Sequence, residues 1–550
     1  MDSSATDDVA DGGAAELVPT AEPRERKKRP RRGPGRARVL TFALSGVDAL
    51  PVEVQVAAEA GYPGITLVGL PDTAVRESRE RIQAAFKRLE AKLNERHFTV
   101  NLAPAEVRKE GAGFDLPIAL GLLLALKRLR PEALQGIAVA GELSLDGEIH
   151  PVRGALALAL TSARMGYRGL ILPEANRIET AAVGDLPIFA ARSLPELVVQ
   201  LESGTLESVA VERAQVGPAS PASSVPDLSL IRGQRLARRA LEIAAAGGHN
   251  ILFIGPPGSG KTLLAQSLPG ILPPFADAEA LEATLVHSVA GILPPGTACL
   301  TRRPFRAPHH TITPAGMVGG GLVPRPGEVS LAHRGVLFLD ELPEFRTEVL
   351  NLLRQPVEEG HVVLSRLARS VRLPCRFMLV GAMNPCPCGF LGHPRRGCRC
   401  TPAQIRRYQG RVSGPLLDRI DLQIQVPAAS PREVTAVSGC SVESSLEVRA
   451  RVIAARALQR ARFSGIPALH ANAQMSAEHL EPFCPLTPPV RALLQSAMER
   501  LSLSARAAHR ALRVARTIAD LAGAPQIESA HLAEAIAYRG WDREAEEAGG

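Results

Sequence analysis

An α/β nucleotide-binding domain, preceded by a smaller α/β domain and followed by a helical one, is the fold the sequence predicts. Three observations carry it. Gly255-Pro-Pro-Gly-Ser-Gly-Lys-Thr262 follows the apolar run Ile251 to Ile254 and opens a helical stretch, Leu263 to Leu268. A second apolar run, Gly335-Val-Leu-Phe-Leu339, ends in the adjacent carboxylates Asp340 and Glu341. Beyond residue 432, apolar residues recur at helical spacing: Val448, Val452 and Ala455, then Val514, Ile518 and Leu521.

Composition sets the frame. A chain of 550 residues exceeds one compact core, and roughly two to four domains is the natural expectation. Apolar content is 45%, with no uninterrupted run of spanning length, so no membrane segment is expected. The N-terminus lacks an apolar core and does not read as a secretory signal. Eight cysteines, four of them clustered, suit a reducing compartment and a metal better than a disulfide framework. The expected location is the cytoplasm. Net charge is +8. Residues 1–23 hold six acids and no Lys or Arg, whereas residues 24–38 hold nine basic residues and one acid. A disordered tail over 1–37 is expected, either attracting nucleic acid or merely solvating the chain. Aromatic residues make up only 3%, which argues against a base-stacking platform and for any nucleic acid being gripped by its backbone.

Residues 38–200 read as an α/β domain. Phe98 to Leu102 alternates as a strand, and Ile82, Phe86, Leu89 and Leu93 share one face of a helix that begins near Asp72. Residues 201–226 turn polar and Pro/Ser-rich, as a linker does. Residues 227–431 form the nucleotide-binding domain. It opens with a helix from Asp227 to Gly248 that carries Leu236, Ala240, Ile243 and Ala244 on one face. In the loop Gly255, Pro256, Pro257, Gly258, Ser259, Gly260, Lys261 and Thr262, glycine backbone N–H groups close around phosphate oxygens, helped by the helix N-terminus. Lys261 is expected on the β- and γ-phosphates of ATP, and the Thr262 hydroxyl on Mg²⁺. Strand alternation aims Asp340 at the Mg²⁺ and Glu341 at the attacking water.

The run Arg376 to Met383 is another buried-type strand, ending at Asn384, whose amide could orient that water. Ser413-Gly-Pro-Leu-Leu-Asp-Arg-Ile-Asp421 places Arg419 between two acids. Either it forms a surface ion pair or it is an arginine finger donated to a neighbouring subunit. His361 to Arg366 and Arg369 to Leu373 read as a hairpin. Its Arg366, Arg369 and Arg372 are phosphate-contact candidates, or simply a solvated edge. Cys386-x-Cys388 and Cys398-x-Cys400 could close a tetrahedral zinc site, although the spacing is shorter than the usual one and reduced, unliganded thiols are the alternative. Residues 432–540 are helical and 541–550 form a tail.

Two resemblances narrow this reading. Lys109 to Pro117, Gly141 to Gly154 and Leu170 to Glu174 resemble the proteolytic domain of Lon proteases. Gly113 takes the place of that family's Ser and Leu156 of its Lys, so the resemblance implies the α+β fold without the peptidase chemistry. The phosphate loop, Asp340-Glu341, Asn384 and Leu416-Leu-Asp-Arg419, in that order, resemble AAA+ ATPases of the magnesium-chelatase-like branch. Arg303-Pro-Phe-Arg-Ala-Pro-His-His-Thr311, Asn384-Pro-Cys-Pro-Cys-Gly389 and Ser504-Ala-Arg-Ala-Ala-His-Arg510 narrow it to the ComM/YifB family, across roughly residues 38–540. That resemblance implies a hexameric ring with ATP and Mg²⁺ as cofactors. Its partner would be single-stranded or branched DNA, and its role branch migration in homologous recombination and natural transformation. It implies that residues 302–325, with Arg303 and Arg306, face the central pore. The C-terminal helices become a lid in which Arg506 matches the nucleotide-sensing arginine, with Arg510 and Arg513 as rivals. A protein-remodelling or magnesium-chelatase-type metal-insertion motor is the alternative that the same ATPase core would serve. A non-catalytic scaffold is disfavoured by the presence of Lys261, Asp340, Glu341 and Arg419.

Overall fold

A computed structural model of the chain describes residues 35–91, 93, 96–208, 225–321, 325–366, 369–428, 442–466 and 469–539. The N-terminal tail up to residue 34, most of the linker, Cys440 and the 541–550 tail lie outside the described residues, as do the side chains of Arg366 and Arg369.

The first domain is built on a seven-stranded sheet. Its strands are β1 (Gly35–Ser45), β2 (Asp48–Glu59), β3 (Gly64–Val68), β4 (His97–Ala103), β5 (Ile137–Val139), β8 (Gly169–Pro173) and β9 (Ile188–Ala191), with β6 (Glu142–Leu143) and β7 (Ile149–His150) pairing apart as a short hairpin. The order is β3-β4-β2-β1-β5-β8-β9, antiparallel where β2 meets β1 and β4, and parallel elsewhere. One face is buried because β2 and β4 alternate: Val52, Val54, Val56 and Ala58, then Phe98, Val100 and Leu102, all point inward. Against them lies the helix Asp115–Ala125, which is buried on every side, as its unbroken apolar sequence requires. The helix capped by Asp72 ends at Arg88, earlier than the periodicity suggests; Leu89 is its C-cap and Leu93 follows it, yet both still pack on the core.

The second domain carries a five-stranded, all-parallel sheet. Its strands are β10 (Ile251–Ile254), β11 (Phe305–Arg306), β14 (Val336–Leu339), β17 (Met378–Met383) and β18 (Leu422–Gln425), in the order β11-β14-β17-β10-β18. Every residue of β10, β14 and β17 is buried, which is why these stretches read as continuous apolar runs rather than alternating ones. Short pairs flank the sheet: β12 (Gly319–Gly320) with β13 (Arg325–Pro326), and β15 (His361–Arg366) with β16 (Arg369–Pro374). The predicted hairpin is therefore present, in register from His361↔Pro374 to Arg366↔Arg369.

The helix before the phosphate loop runs only over Arg235–Gly247, because Gln234 at its N-cap takes a left-handed φ of 48°. Ala240, Ile243 and Ala244 are buried as expected, but Leu236 is 69% exposed. That corrects the expectation for Leu236: it lies in the first turn, beyond the edge of the core. C-terminal helices Ser445–Arg462, Pro488–Arg500, Ala505–Leu521 and Ser529–Ala537 pack Val448, Val452, Ala455, Val514 and Ile518 into the same core as Ala240 and Leu264. The first domain also touches the second. Leu285 and Val289 of the helix Asp277–Ala290 rest on its core, Gly154 N donates to Ser288 O at 3.1 Å, and Ser288 Oγ donates to Glu179.

Candidate active site

Parallel pairing aligns the carboxyl ends of β10, β14 and β17 along one edge of the sheet, where ligands of open α/β sheets bind. The phosphate loop leaves β10, Asp340 and Glu341 leave β14, and Asn384 leaves β17. Gly255 is required at the start of the loop: a Cβ there would lie 2.1 Å from the Val426 carbonyl oxygen. Lys261 Nζ donates to Gly255 O at 2.7 Å and Pro256 O at 2.9 Å, and reaches Asn384 Oδ1 at 3.3 Å. Burial pushes the Lys261 ammonium below its usual range, and the charges of Asp340 and Glu341 partly oppose this. The Thr262 hydroxyl donates to Asp340 Oδ2 at 2.8 Å. A hydroxyl and a carboxylate oxygen side by side are the hard donors that Mg²⁺ takes.

Glu341 is held at φ 52°, an uncommon left-handed value for a side-chain-bearing residue at the end of a buried strand. Its carboxylate is 58% exposed and lies 3.6 Å from His310 Nδ1, on the segment after β11. Sequence reasoning missed that neighbour, because nothing local links positions 31 residues apart.

The structure thus brings together Gly255 to Thr262, Asp340, Glu341 and Asn384. It sets Arg419 apart from them. Asn250, at the opposite end of β10, donates from Nδ2 to the Arg419 carbonyl at 2.9 Å. The Arg419 guanidinium pairs with Glu358 Oε2 at 2.6 Å and Pro415 O at 2.6 Å, and its Nε has no hydrogen-bond partner among the described residues. The acids beside it in sequence do not hold it; Asp421 is buried and belongs to another network. His249 Nδ1 lies 3.2 Å from Asp421 Oδ2, His249 Nε2 lies 2.8 Å from Thr517 Oγ1, and Arg510 Nη1 donates to Asp421 Oδ1 at 3.0 Å. Burial opposes the Asp421 charge, but His249, Arg510 and Arg513 outweigh it and hold the carboxyl well below the usual range. This joint between the sheet base and the C-terminal helices was also missed, since its members lie 89 to 268 positions apart. It occupies Arg510, while Arg513 donates to Ala473 O at 3.4 Å. Arg506, in the first turn of its helix, is exposed.

Arg303 and Arg306, which the resemblance sets facing a pore, are each engaged within the chain. Arg303 donates to Pro273 O, Arg334 O and Glu279 at 2.9, 2.8 and 2.6 Å, with its side chain only 14% exposed. Arg306 is bidentate on Glu328 at 2.6 and 2.7 Å. Both are tied into the chain at the edge strand of the central sheet, Arg303 just before β11 and Arg306 within it. Arg372 of β16 is exposed and lies 3.2 Å from His361 Nδ1.

The four clustered cysteines converge. Cys386 Sγ is 3.4 Å from Cys388 Sγ and 3.6 Å from Cys398 Sγ, Cys388 and Cys398 are 3.6 Å apart, and all four sulfurs lie within 4.8 Å of one another. In the first domain, Gly113 sits in a single 3₁₀ turn and Leu156 is a fully buried apolar side chain. No helix among the described residues is long and apolar enough to cross a membrane.

Comparison with known proteins agrees with this geometry. Residues 227–434 match the family model described as magnesium chelatase, subunit ChlI; residues 52–176 match subunit ChlI of Mg-chelatase, and residues 442–539 match the ChlI C-terminal model. The chain is 42% identical over 503 residues to the competence protein ComM of Haemophilus influenzae, covering 91% of this chain and 97% of that one. It is 41% identical over 506 residues to YifB of Salmonella typhimurium, covering 92% and 97%. Against the magnesium-chelatase 38 kDa subunit of Rhodobacter capsulatus, identity is 29% over 248 residues, covering 41% of this chain and 63% of that one.

Proposed function

The chain belongs to the ComM/YifB family of magnesium-chelatase-like AAA+ proteins, and from that premise we propose that it is a cytoplasmic, ATP-driven ring motor that moves branched DNA. The observation that carries the ATPase half is the convergence of Lys261, Thr262, Asp340, Glu341 and Asn384 on one sheet edge. Lys261 leaves the loop carbonyls for the β- and γ-phosphates. Thr262 and Asp340 would hold Mg²⁺, which would neutralise phosphate charge. Glu341 takes the proton of the attacking water, while Asn384 orients that water. Arg419 supplies the cation of a neighbouring pocket, and Arg506 closes over the nucleotide from the helical lid.

The DNA half has support from the competence name of the Haemophilus relative. Charge placement adds to it: in the β15–β16 hairpin, Arg372 is exposed, and Arg366 and Arg369 pair at the end of the ladder. A hairpin of this kind grips phosphates without reading sequence. We read the first domain as a Lon-like fold in which Gly113 and Leu156 stand where that family has its Ser and Lys. We further read Cys386, Cys388, Cys398 and Cys400 as a zinc site.

The deciding experiment is strand release from labelled three- and four-way junctions, with ATP and with a non-hydrolysable analogue, alongside ATPase rates with single-stranded, duplex and branched DNA. ATP-dependent release and DNA-stimulated turnover that weakens steeply with salt are expected. An ATPase indifferent to every DNA but stimulated by an unfolded protein or a tetrapyrrole would favour the remodelling or metal-insertion reading, to which the chelatase matches also point.

A further inference from the structure

The four-cysteine loop lies against the phosphate loop. Gly389, between the two cysteine pairs, takes a left-handed φ of 82°, and a Cβ on it would stand 2.6 Å from Pro257 Cδ and 2.9 Å from Pro257 Cγ. Pro257 is the third residue of the phosphate loop. The cysteine loop also begins two residues after Asn384, the amide that meets Lys261. At its far end it runs into the helix Pro402–Gln409, which folds back on its own entrance. Gln409 Nε2 donates to Pro385 O at 2.9 Å.

The donor set suits a soft divalent ion. Tetrahedral zinc with Zn–S bonds of about 2.3 Å needs sulfurs about 3.8 Å apart. The three closest pairs, at 3.4, 3.6 and 3.6 Å, are near that edge and far from a disulfide. The backbone N–H of Cys400 donates to Cys398 Sγ at 3.4 Å. Outer contacts of this kind are what orient ligands in metal sites.

We infer that zinc on these four thiolates acts as a clasp for the ATP site, locking the loop that positions Asn384 and bears on the phosphate loop at Pro257. The inference rests on the zinc reading of the same thiols. Asn384 follows a short buried strand, and a water-orienting amide tolerates little displacement. Without the metal, the segment from Cys386 to Cys400 would be held by little more than its own turns. Closing it with a metal ties both ends of the segment, and thus Asn384, to the helix Pro402–Gln409. The clasp does not touch the reacting atoms; its residues are positioning residues.

The test uses the full chain. Zinc content by elemental analysis and the spectrum after Co²⁺ exchange examine the site. Nucleotide affinity, measured with a fluorescent ATP analogue, and the split between kcat and KM examine the coupling. Wild type is expected to hold about one zinc per chain, with thiolate charge-transfer bands in the Co²⁺ form. Cys400→Ser should lose the zinc and at least about tenfold in kcat, while Cys400→His, which preserves a four-ligand set, should restore both. Gly389→Ala leaves all four thiols in place but drives the loop into Pro257; it should keep zinc and still lose turnover. If Cys400→Ser does not fold, zinc withdrawn from folded wild type with a mercurial and a chelator, then returned, supplies the same comparison. A chain without zinc and without cobalt–thiolate bands would overturn the zinc reading and the clasp together. Zinc bound, then lost, with kcat and nucleotide affinity unchanged, would overturn the clasp alone.

Discussion

Arg419 cannot serve the pocket of its own chain, and that makes a quantitative mixing experiment possible. Its carbonyl is bound by Asn250, at the amino end of β10. The phosphate loop begins at Gly255, five residues on, and at about 3.3 Å per residue the two ends are about 16 Å apart. An extended arginine side chain spans only about 7 Å, so the guanidinium falls well short of phosphates held by the loop. The Glu358 pair that holds it is exposed on the glutamate side by 45%; losing it costs under about 1 kcal/mol, and Arg419→Ala should stay folded. Turnover should nevertheless fall by about 10³-fold or more, as for other arginine fingers. Lys261→Ala should be equally inactive through lost ATP binding. In rings assembled from equal amounts of the two variants, a competent pocket needs Lys261 from one subunit and Arg419 from the next. Random assembly supplies this at about one interface in four. Steady-state ATPase across mixing ratios should therefore peak near equality, at about a quarter of the wild-type rate, with either variant alone near background. Mixed rings shown by native mass spectrometry to form, yet inactive at every ratio, would refute a finger acting across the interface.

Glu341→Gln should bind ATP with nearly wild-type affinity and hydrolyse it at least about 10²-fold more slowly, which filter binding and single-turnover rates together would show; equal turnover would remove Glu341 as the base. Asp421→Asn tests the buried joint. Because the folded-state carboxyl is held below its usual range, its contribution is complete above the ordinary carboxylate pKa of about 4 and is lost as pH falls toward the lowered value. Urea-unfolding midpoints of wild type and variant should thus differ most near neutrality and converge in acid. A gap that stays constant across that range would show that Asp421 acts through packing rather than charge.

What could be read from the sequence was what is local in the chain. The phosphate loop, the acids ending β14, the amide ending β17 and the β15–β16 hairpin each announce themselves within about ten residues, through turn chemistry or an unbroken apolar run. What stayed hidden in the sequence were distant partners. Arg303 and Arg306 look like free cations because Glu279 and Glu328, which hold them, lie 24 and 22 positions away. His249, Asp421, Arg510 and Thr517 carry no pattern until the fold assembles them. Leu236 was misplaced for a different reason. Helical periodicity cannot show that the turn before it breaks at Gln234, where a left-handed backbone reorients the chain.

The position of Asn250 has a mechanical consequence. Besides holding the Arg419 carbonyl, its Oδ1 accepts from Leu379 N at 2.8 Å and its backbone oxygen accepts from Asp421 N and Leu422 N, each at 3.1 Å. One residue therefore rivets three neighbouring strands at the end opposite the phosphate loop. A buried parallel sheet fixed at one end behaves as a stiff strut, with the phosphate loop at one tip and Arg419 at the other. Subunits joined tip to opposite tip would form a closed loop of struts whose only compliant joints are the pockets themselves.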